Sequence, residues 1–241
     1  MPAPSTARPE AGSNKRSYVR GMFSAIAPRY DLLNHLLSFN LDRRWRARAV
    51  ERLAWRAAPA GRYLDVCAGT LDLGIALAKS RGFRGRVIGV DFALPMLRLG
   101  RRKAPGVRVL AADAEQLPFG DATFDGCMVA FGIRNLTDPD RGLGEMARVL
   151  KPGASLVILE FALPSAWPVR PLYLWYFRRV LPRIGRLVSK HMSAYQYLPD
   201  SVSRFLDPLA LSQRVAAAGF GGVGCEPLTF GVAALHWGRR L

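Results

Sequence analysis

The sequence predicts an α/β protein built around a doubly wound, mostly parallel sheet. From Arg62 onward, short apolar runs alternate with helical patterns, which is typical of βαβ units. The apolar runs are continuous rather than alternating in polarity, as expected when helices cover both faces of a sheet. With 241 residues, the chain is long enough for one such domain with a sizeable core.

Seven apolar runs and the helical patterns between them give the order of the elements. The predicted strands are residues 63–67, 86–90, 107–111, 124–130, 154–161, 223–229 and 232–237. The predicted helices that connect them are residues 72–80, 94–103, 138–150 and 208–218. This alternation predicts a seven-stranded, mostly parallel sheet.

The N-terminal part of the chain is expected to be a tail followed by a helical lid. Residues 1–17 are rich in Pro, Ala, Ser and charge and have no apolar segment like that of a secretory signal, so we expect a disordered tail and a cytoplasmic protein. In residues 18–58, apolar side chains recur at steps of three and four, which predicts helices. Pro28 is expected to begin or kink one of them.

Residues 18–241 are expected to form one domain. Residues 62–161 are its nucleotide-type core, and residues 205–241 add a helix and two strands. Between these parts, residues 164–200 are rich in aromatic residues and arginine, and they interrupt the alternation of strand and helix. We expect this segment to form an inserted cap.

Composition and charge exclude some classes of protein and leave others open. Half of the residues are hydrophobic, which excludes a disordered chain, and no apolar run reaches the roughly 18 residues of a membrane-spanning helix. The three cysteines lie far apart without a CxxC pair, so we expect neither a zinc site nor a disulfide framework. The net charge of +17 suits nucleic acid or an anionic membrane, and it also arises in chains encoded by GC-rich genes.

A glycine turn follows the first predicted strand, in the stretch Asp65-Val66-Cys67-Ala68-Gly69-Thr70-Leu71-Asp72. Ligands of parallel α/β sheets bind at the carboxyl ends of the strands. Gly69 has no Cβ and lets the backbone approach a ligand, and the next helix offers free N–H groups to an anion. Dinucleotide enzymes share such a turn, so it indicates only a nucleotide-type pocket.

Acidic residues after the next strands narrow the choice of cofactor. Asp91 ends the second strand and suits ribose hydroxyls, while Asp113 and Ala114 follow the third strand and suit an adenine ring. A group of carboxylates repels the pyrophosphate of NAD and attracts a sulfonium cation. Its members are Asp65, Asp72, Asp91 and Asp113. Each could instead cap a helix, but together they predict S-adenosylmethionine (AdoMet) as the co-substrate, without a metal.

Several stretches of the chain resemble the signatures of one family, the ubiquinone/menaquinone biosynthesis C-methyltransferases. The matching stretches are residues 21–34, 65–72, 129–138, 148–153, 181–185, 195–202 and 218–220. The most specific is Phe131-Gly132-Ile133-Arg134-Asn135, and the resemblance extends over about residues 18–238. It implies a class I AdoMet-dependent methyltransferase fold and transfer of a methyl group to a ring carbon of a polyprenylated quinol.

The resemblance also implies roles for particular residues. Thr70, Asp91, Asp113 and Ala114 match AdoMet contacts of the family, and Ala130 occupies a further contact position. In one place the chain departs from the pattern, because the family usually has glycine where this chain has Leu71. Leu71 must find room, and it could shift the helix or narrow the methionine end of the pocket.

The acceptor side of the site is predicted from the same resemblance. Arg134 and Asn135 follow the fourth strand and are expected to face the quinol. Because arginine is a poor base, we expect Arg134 to stabilise the quinolate; a salt bridge to Asp138 or Asp140 is the alternative. Tyr30 belongs to the lid and is expected either to close over AdoMet or to pack in the core.

Two basic, aromatic surfaces are candidates for contact with an anionic membrane on its cytoplasmic side. The cap alternates aromatic residues such as Trp167 and Trp175 with arginines, as at a lipid interface. Residues 41–56 carry a row of arginines at a spacing of four: Arg44, Arg48, Arg52 and Arg56. His35 and His191 belong to no motif, and we interpret them, like His236, as packing or surface residues.

The sequence favours methylation of demethylmenaquinol and leaves three alternatives. The first is the methoxy-polyprenyl-benzoquinol step of ubiquinone biosynthesis. The second, suggested by the charge, is a nucleic-acid methyltransferase, although the fourth strand is followed by Ala130-Phe131-Gly132-Ile133 and not by a base-holding Asn/Asp-Pro-Pro-Tyr/Phe element. The third, suggested by Leu71, is a non-catalytic partner in a quinone-biosynthesis complex. We expect no nucleic-acid partner, and a homodimer is plausible.

Overall fold

A seven-stranded sheet forms the centre of the computed structural model, which describes residues 13–180 and 192–241. The strands are β1 (Arg62–Val66), β2 (Arg86–Asp91), β3 (Arg108–Ala111), β4 (Phe124–Ala130), β5 (Leu150–Phe161), β6 (Phe220–Leu228) and β7 (Ala233–Arg240). Their order in the sheet is β3-β2-β1-β4-β5-β7-β6. The first five run parallel, and β7 lies antiparallel between β5 and β6. The predicted fold class is confirmed.

Helices cover both faces of the sheet and its carboxyl edge. They are α1 (Ser13–Ile26), α2 (Tyr30–Leu37), α3 (Leu41–Arg52), α4 (Asp72–Ala78), α5 (Leu94–Lys103), α6 (Pro139–Val149), α7 (Val169–Trp175), α8 (Met192–Arg204) and α9 (Pro208–Ala217). Local chemistry sets several of the starts. The side chains of Asp138 and Asp207 each accept a backbone N–H in the first turn of α6 and α9, and a proline follows each of them.

Consecutive side chains of β4 and β5 face opposite sides of the sheet, which explains why these strands are apolar throughout. Cys127 and Val129 pack into a core with α6 and α9, whereas Met128 between them faces a second core with α3, α4 and α5. In β5, Leu156 and Val157 divide between the two cores in the same way. Both faces of the sheet are therefore buried, as the unbroken apolar runs predicted.

Three predicted boundaries need correction. Helix α1 begins at Ser13, so residues 13–17 are helical and do not belong to a tail; residues 1–12 lie outside the described residues. Strand β5 begins at Leu150, directly after α6, because Leu150 pairs with Phe124 ahead of a bulge. Helix α8 continues through Pro199 to Arg204, beyond the predicted end of the cap at residue 200. Elsewhere, the predicted interruption at Pro28 is a short 3-10 helix, Ala27–Arg29.

Among residues 13–180 and 192–241, no helix is both long and apolar enough to cross a membrane.

Leu71 finds its room between β2 and α5. Its side chain is fully buried, and it fills space that two glycines leave open. A Cβ built on Gly89 would lie 2.3 Å from Leu71 Cδ2, and one on Gly100 would lie 2.6 Å from Leu71 Cγ. The close approach of helix to strand is served by Gly74, where a Cβ would lie 2.9 Å from Asp65 Oδ2. Leu71 is thus a core residue of the packing around α4.

Gly100→Ala is expected to destabilise the fold. The new Cβ would lie 2.8 Å from the backbone carbon of Thr70 as well as against Leu71, and backbone cannot move aside as a flexible side chain can. Overpacking of this kind costs about 1–3 kcal/mol in the free energy of unfolding, measurable in urea. Gly144→Ala is the matched control: Gly144 also lies in a helix, but a Cβ there meets nothing within 4 Å. It should stabilise slightly, and equal effects of the two changes would contradict this packing.

Candidate active site

The turn after β1 is built from residues in alternating left-handed conformations. Cys67, Gly69 and Leu71 have φ values of 53°, 52° and 68°. This geometry folds the turn back over the end of β2, where the backbone N–H of Gly69 donates to Asp91 Oδ2 at 2.9 Å. The turn and Asp91 therefore form one unit at the carboxyl edge of the sheet.

Asp65 holds the strand to the helix that follows. Its Oδ2 accepts the backbone N–H of Gly74 at 2.9 Å, and the residue is 1% exposed. Burial raises the pKa of this carboxyl to about 7, with neighbouring Asp72 and Asp91 adding to the rise, while the Gly74 bond and the charge of Arg46 oppose it.

Asp91 lies at the end of β2 with both oxygens facing backbone donors. Oδ1 accepts the N–H of Ala93 at 2.7 Å, and Oδ2 accepts that of Gly69. Burial raises the pKa of Asp91, although these backbone hydrogen bonds limit the rise. A carboxylate has about four lone-pair positions, so room remains for the two hydroxyls of a ribose.

Thr70 and Asp72 take part in a polar network with the lid. Thr70 Oγ1 donates to Asp31 Oδ1 at 2.5 Å, and Lys103 Nζ bridges Asp31 Oδ2 and Asp72 Oδ1 at 2.7 and 2.6 Å. Asp72 Oδ2 is buried and accepts no hydrogen bond from any described residue. Arg46 Nη2 lies 3.5 Å from this oxygen. An unsatisfied buried carboxylate oxygen beside the glycine turn fits the ammonium group of AdoMet.

Helix α1 crosses the ends of β3 and β4. Arg16 Nη2 lies 2.5 Å from Asp113 Oδ2, and Lys15 Nζ donates to the carbonyl of Leu136 at 2.5 Å. Ala114 is buried next to Asp113, and Ala130 at the end of β4 is half-buried. Lys15 and Arg16 fall in the predicted tail, so the sequence prediction missed that the lid begins here.

A cavity of about 420 Å³ lies between the lid helices, the cap and the ends of β4 and β5. Its wall is mainly apolar and aromatic. Aromatic residues in the wall include Trp45, Phe131, Phe161, Tyr173, Tyr176 and Tyr197. Phe131 and Phe161 are stacked, with ring centroids 4.3 Å apart, and Trp45 meets Phe161 edge-on at 6.3 Å. Flat aromatic walls of this kind suit a planar ring with an apolar tail.

Arg134 lies in the wall of this cavity, and its partner is Glu160. The guanidinium Nη1 lies 2.6 Å from Glu160 Oε1, and the two side chains are 5% and 1% exposed. The same nitrogen donates to the carbonyl of Phe131 at 2.5 Å, and Nε donates to Ser201 Oγ at 3.3 Å. The expected alternative was wrong, because Asp138 caps α6 and Asp140 pairs with Arg214.

Of the three predicted acceptor-side residues, Tyr30 and Arg134 line the cavity, and Asn135 contacts it through the wall residue Tyr197. Burial raises the pKa of the Tyr30 hydroxyl. Asn135 Oδ1 accepts a hydrogen bond at 3.0 Å from the hydroxyl of Tyr197, another wall residue. Asn135 Nδ2 donates to the carbonyl of Phe131 at 3.3 Å.

Asp42, Arg46 and Glu160 belong to none of the motifs that the sequence displays, yet they lie at or behind the wall of the cavity. Asp42 and Arg46 line the cavity and pair with each other one helical turn apart, a spacing that the sequence displays. Glu160 is the one charged residue in the apolar run 156–161, which is a signal for a buried ionisable group with a partner. The partner itself could not be read from the sequence.

Three of the four arginines in the predicted row make contacts within the fold. Arg48 and Arg52 both bind Glu226 at 3.1 Å. The guanidinium of Arg52 lies 4.1 Å from the ring centroid of Trp237, and that of Arg56 lies 4.7 Å from that of Trp55. The row therefore braces α3 against the sheet edge.

His236 is not among the residues that line the cavity. Burial lowers the pKa of His236 to about 4, and its ring contacts Ser212 Oγ at 2.9 Å. His191 lies outside the described residues. In the part of the chain that the structure describes, no group of three or more His, Cys, Asp or Glu residues could hold a metal ion.

Comparison with known proteins gives a match over nearly the whole chain. The model of the ubiE/COQ5 methyltransferase family matches residues 11–240. A demethylmenaquinone methyltransferase of Thermus thermophilus is 53% identical over 223 residues, covering 91% of this chain and 100% of the relative. One of Deinococcus radiodurans is 45% identical, covering 97% and 98%. The ubiquinone/menaquinone biosynthesis C-methyltransferase UbiE of Geobacter sulfurreducens is 44% identical, covering 95% and 90%.

Solved structures share the fold at much lower identity. A methyltransferase of Thermotoga maritima, a possible histamine N-methyltransferase, superimposes with a TM-score of 0.64 at 20% identity, covering 92% of this chain and 99% of that one. The cyclase SpnF superimposes with a TM-score of 0.69 at 16% identity, covering 98% and 99%. At these identities the likeness shows the fold alone.

Asp65 is expected to make stability depend on pH. Its folded pKa of about 7 lies above the usual unfolded value of about 4, so folding takes up a proton between these values. The stability from this group is fully present below about pH 4 and is lost as the pH rises through about 7. Asp65→Asn should therefore make the unfolding free energy fall less steeply with rising pH over this window, by at most about 1.4 kcal/mol per pH unit.

Urea unfolding at several pH values measures this slope for both proteins. Asp125→Asn is the control of opposite sign: burial acts to raise the pKa of Asp125, but Lys151 and Arg62 lower it overall. Its contribution is present above the unfolded pKa and is lost as the pH falls through the lowered value. A slope that Asp65→Asn leaves unchanged would mean that Asp65 is ionised throughout.

Proposed function

The chain belongs to the ubiE/COQ5 methyltransferase family, and from that premise we propose that it methylates the ring of demethylmenaquinol to give menaquinol. It is an AdoMet-dependent methyltransferase of quinone biosynthesis. Two relatives, at 53% and 45% identity, are named demethylmenaquinone methyltransferase, which favours the naphthoquinol. The 44% identical relative is named for both pathways, so the benzoquinol step is the second substrate to test.

The cavity beside the strand ends is the observation that carries this proposal. It has an aromatic wall with a buried guanidinium, that of Arg134. Its wall residue Arg46 lies 3.5 Å from Asp72, the residue that begins the helix after the glycine turn. An electron-rich ring bound against Phe131 and Phe161 would present its hydroxyl to Arg134. The positive charge would stabilise the ionised quinol, which is the nucleophilic form.

AdoMet supplies a methyl group on a sulfonium sulfur, which a nucleophilic carbon can attack in line. We assign Asp91 to the ribose, Asp113 and Ala114 to the adenine, and Asp72 to the ammonium group. Gly69, Thr70 and Ala130 would contact the remaining parts of the molecule. Asp65 is assigned to holding α4 against β1, because its carboxylate is buried against Gly74.

On the acceptor side, Tyr30 and Asn135 support Arg134. Tyr30 lies in the wall of the cavity and would orient the quinol hydroxyl through its own hydroxyl. Asn135 fixes Tyr197 by accepting its hydrogen bond, which keeps that ring in the wall. All of these groups exclude water from the ring carbon, so that methyl transfer does not compete with hydrolysis.

The alternatives suggested by the charge and by Leu71 lose their support. The nucleic-acid hypothesis rested on net charge, and family membership assigns a quinone acceptor. The non-catalytic hypothesis rested on a Leu71 that disturbs the pocket, but its side chain is buried between Gly89 and Gly100.

The mouth of the cavity is proposed to rest on an anionic membrane, at the cytoplasmic face, where a prenylated quinol resides. Phe39, Leu172 and Trp175 line the cavity and yet are 72%, 66% and 58% exposed. Trp167 and Phe230, which flank other wall residues in sequence, are 85% and 78% exposed. Exposed aromatic residues around an apolar opening are typical of an interfacial surface, and the net charge of +17 favours anionic lipid.

Purified protein with AdoMet should methylate a short-chain demethylmenaquinol that is kept reduced. Arg134→Lys keeps the charge but loses the planar set of donors that binds both Glu160 and a substrate oxygen. We expect kcat to fall by about a hundredfold, the usual effect of losing one stabilising donor. Arg214→Lys, at an exposed pair with Asp140, is the matched control and should keep full activity. No transfer to any prenylated naphthoquinol or benzoquinol would refute the proposed function.

The double variant Trp167→Ser/Trp175→Ser should bind vesicles of anionic lipid at least about tenfold more weakly, since burying one large apolar side chain contributes about 1.5–3 kcal/mol. Sedimentation with vesicles measures the partition coefficient. Leu209→Ser removes a side chain that is 69% exposed on α9, away from the cavity, and should have no effect. Equal binding of both variants and the parent protein would rule out this face.

A further inference from the structure

A buried carboxylate with three partners lies in the cavity wall, on the lid side. Asp42 Oδ2 contacts His35 Nδ1 at 2.9 Å and the guanidinium of Arg46, and Oδ1 accepts the hydroxyl of Ser38 at 2.7 Å. Asp42 is 2% exposed and lines the cavity. These three contacts use three of about four lone-pair positions, which leaves one for a group inside the cavity.

Asp42 is suited to accept a proton from a bound quinol. Among the described residues that line the cavity, it is the one carboxylate. The wall arginines, Arg46 and Arg134, are donors only. The wall tyrosines are phenols, and burial raises the pKa of Tyr30 and Tyr197 further from neutrality. Burial also acts to raise the pKa of Asp42, but Ser38, Arg46 and His35 lower it overall, so the carboxylate is ionised at neutral pH.

His35 connects this carboxylate to solvent. Its side chain is 24% exposed, whereas that of Asp42 is 3% exposed. Its Nδ1 faces Asp42, so the far nitrogen of the ring is the one available to water. An imidazole ring has a nitrogen on each of two sides, and each can donate or accept a proton. The pair therefore lies between the lid-side wall of the cavity and bulk water.

We propose that Asp42 and His35 form a proton relay, in which Asp42 accepts the proton of the quinol hydroxyl and His35 passes it to solvent. This inference rests on the proposed function. It makes Asp42 a catalytic residue, since it meets the substrate, and His35 a positioning residue that acts through Asp42. Arg134 then stabilises the anion that the relay produces.

The chemistry of the step balances. The O–H bond of the quinol breaks and its proton goes to Asp42, while the electron pair moves into the ring. The ring carbon forms a bond to the methyl group, and the carbon–sulfur bond breaks with its electron pair going to sulfur. The C–H bond of that ring carbon then breaks, its electron pair restores the aromatic ring, and its proton goes to the oxygen. One proton in total leaves, and the relay carries it to water through His35.

Charged and titratable groups on every side of Asp42 bear on its pH dependence. His35 approaches from α2 and Arg46 from α3, with Asp72 behind Arg46 at 3.5 Å. Tyr30, Arg134 and Tyr197 also line the cavity. A pH profile alone therefore does not identify the acceptor, and the experiment compares substrates of different acidity.

The test measures kcat and KM of the whole protein with two short-chain demethylmenaquinols, one of which carries an electron-withdrawing substituent that makes its hydroxyl more acidic. Asp42→Asn should lower kcat by about 10²- to 10⁴-fold with the ordinary quinol, the usual contribution of a general base. The loss should shrink with the acidic quinol, because it needs less help to ionise. A residue that merely supports the fold would give the same loss with both.

His35→Gln is the second variant. It threatens the fold less than a change at Asp42 does, because the side chain of His35 is partly exposed. We expect kcat to fall by about tenfold and added imidazole to restore it, with KM unchanged. Glu51→Gln is the matched control, since Glu51 lies in the same helix as Asp42 and is 61% exposed. It should match the parent protein. Calorimetric binding of AdoMet confirms that each variant is folded.

The outcomes separate the relay from the proposed function. An active parent protein beside an equally active Asp42→Asn, or a loss that is identical for both quinols, would overturn the relay alone. A His35→Gln protein that imidazole does not restore would remove His35 from it. A parent protein that methylates no prenylated quinol would overturn the proposed function, and the relay with it.

Discussion

A buried guanidinium needs a counter-charge, and this requirement fixes the wall of the cavity at the ends of β4 and β5. Arg134 and Glu160 are both almost fully buried, and their ion pair ties the end of β4 to the end of β5. Breaking such a pair from one side leaves an uncompensated charge, which typically costs about 3–5 kcal/mol. Two further contacts of Arg134 reach the carbonyl of Phe131 and the hydroxyl of Ser201 on α8, so the same group also holds α8. The ion pair that neutralises Arg134 therefore also holds together the elements that form the wall of the cavity.

The sequence predicts the frame of this site better than its interior. Strand and helix order, the acidic residues at the strand ends and the positions of Arg134 and Asn135 follow from periodicity, spacing and resemblance. Partnerships across the fold do not, because they depend on tertiary distances. Glu160 is 26 positions from Arg134, and Asp113 is far in sequence from Arg16, so neither pair leaves a periodic trace. The start of α1 could not be predicted for the same reason. Its first turns are polar and show no apolar periodicity, and only the contacts of Lys15 and Arg16 with distant residues reveal their place in the fold.

Net charge proves to be weak evidence about partners because many arginines serve the fold. Arg148 binds Glu145 and Asp121 and also donates to the carbonyls of Phe119 and Leu117. Arg240 donates to the carbonyls of Ala147 and Gly219. A guanidinium has five donors and so can close loops and cap helices where a lysine could not. The basic composition is therefore evidence for binding to an anionic surface only where an exposed arginine lies near exposed aromatic residues in the chain. Arg170 and Trp167 of the cap are such a case.

Leu71 shows why a motif position can change without loss of the motif. A left-handed conformation costs a residue with a Cβ on the order of 1 kcal/mol, which is why glycine is favoured there. Fully burying a leucine side chain contributes about 1.5–3 kcal/mol, provided that space exists. Gly89 and Gly100 supply that space, so the two effects roughly offset. The glycine turn is therefore kept by the packing beneath it, and the residues that decide whether Leu71 is tolerated lie on β2 and α5, outside the motif.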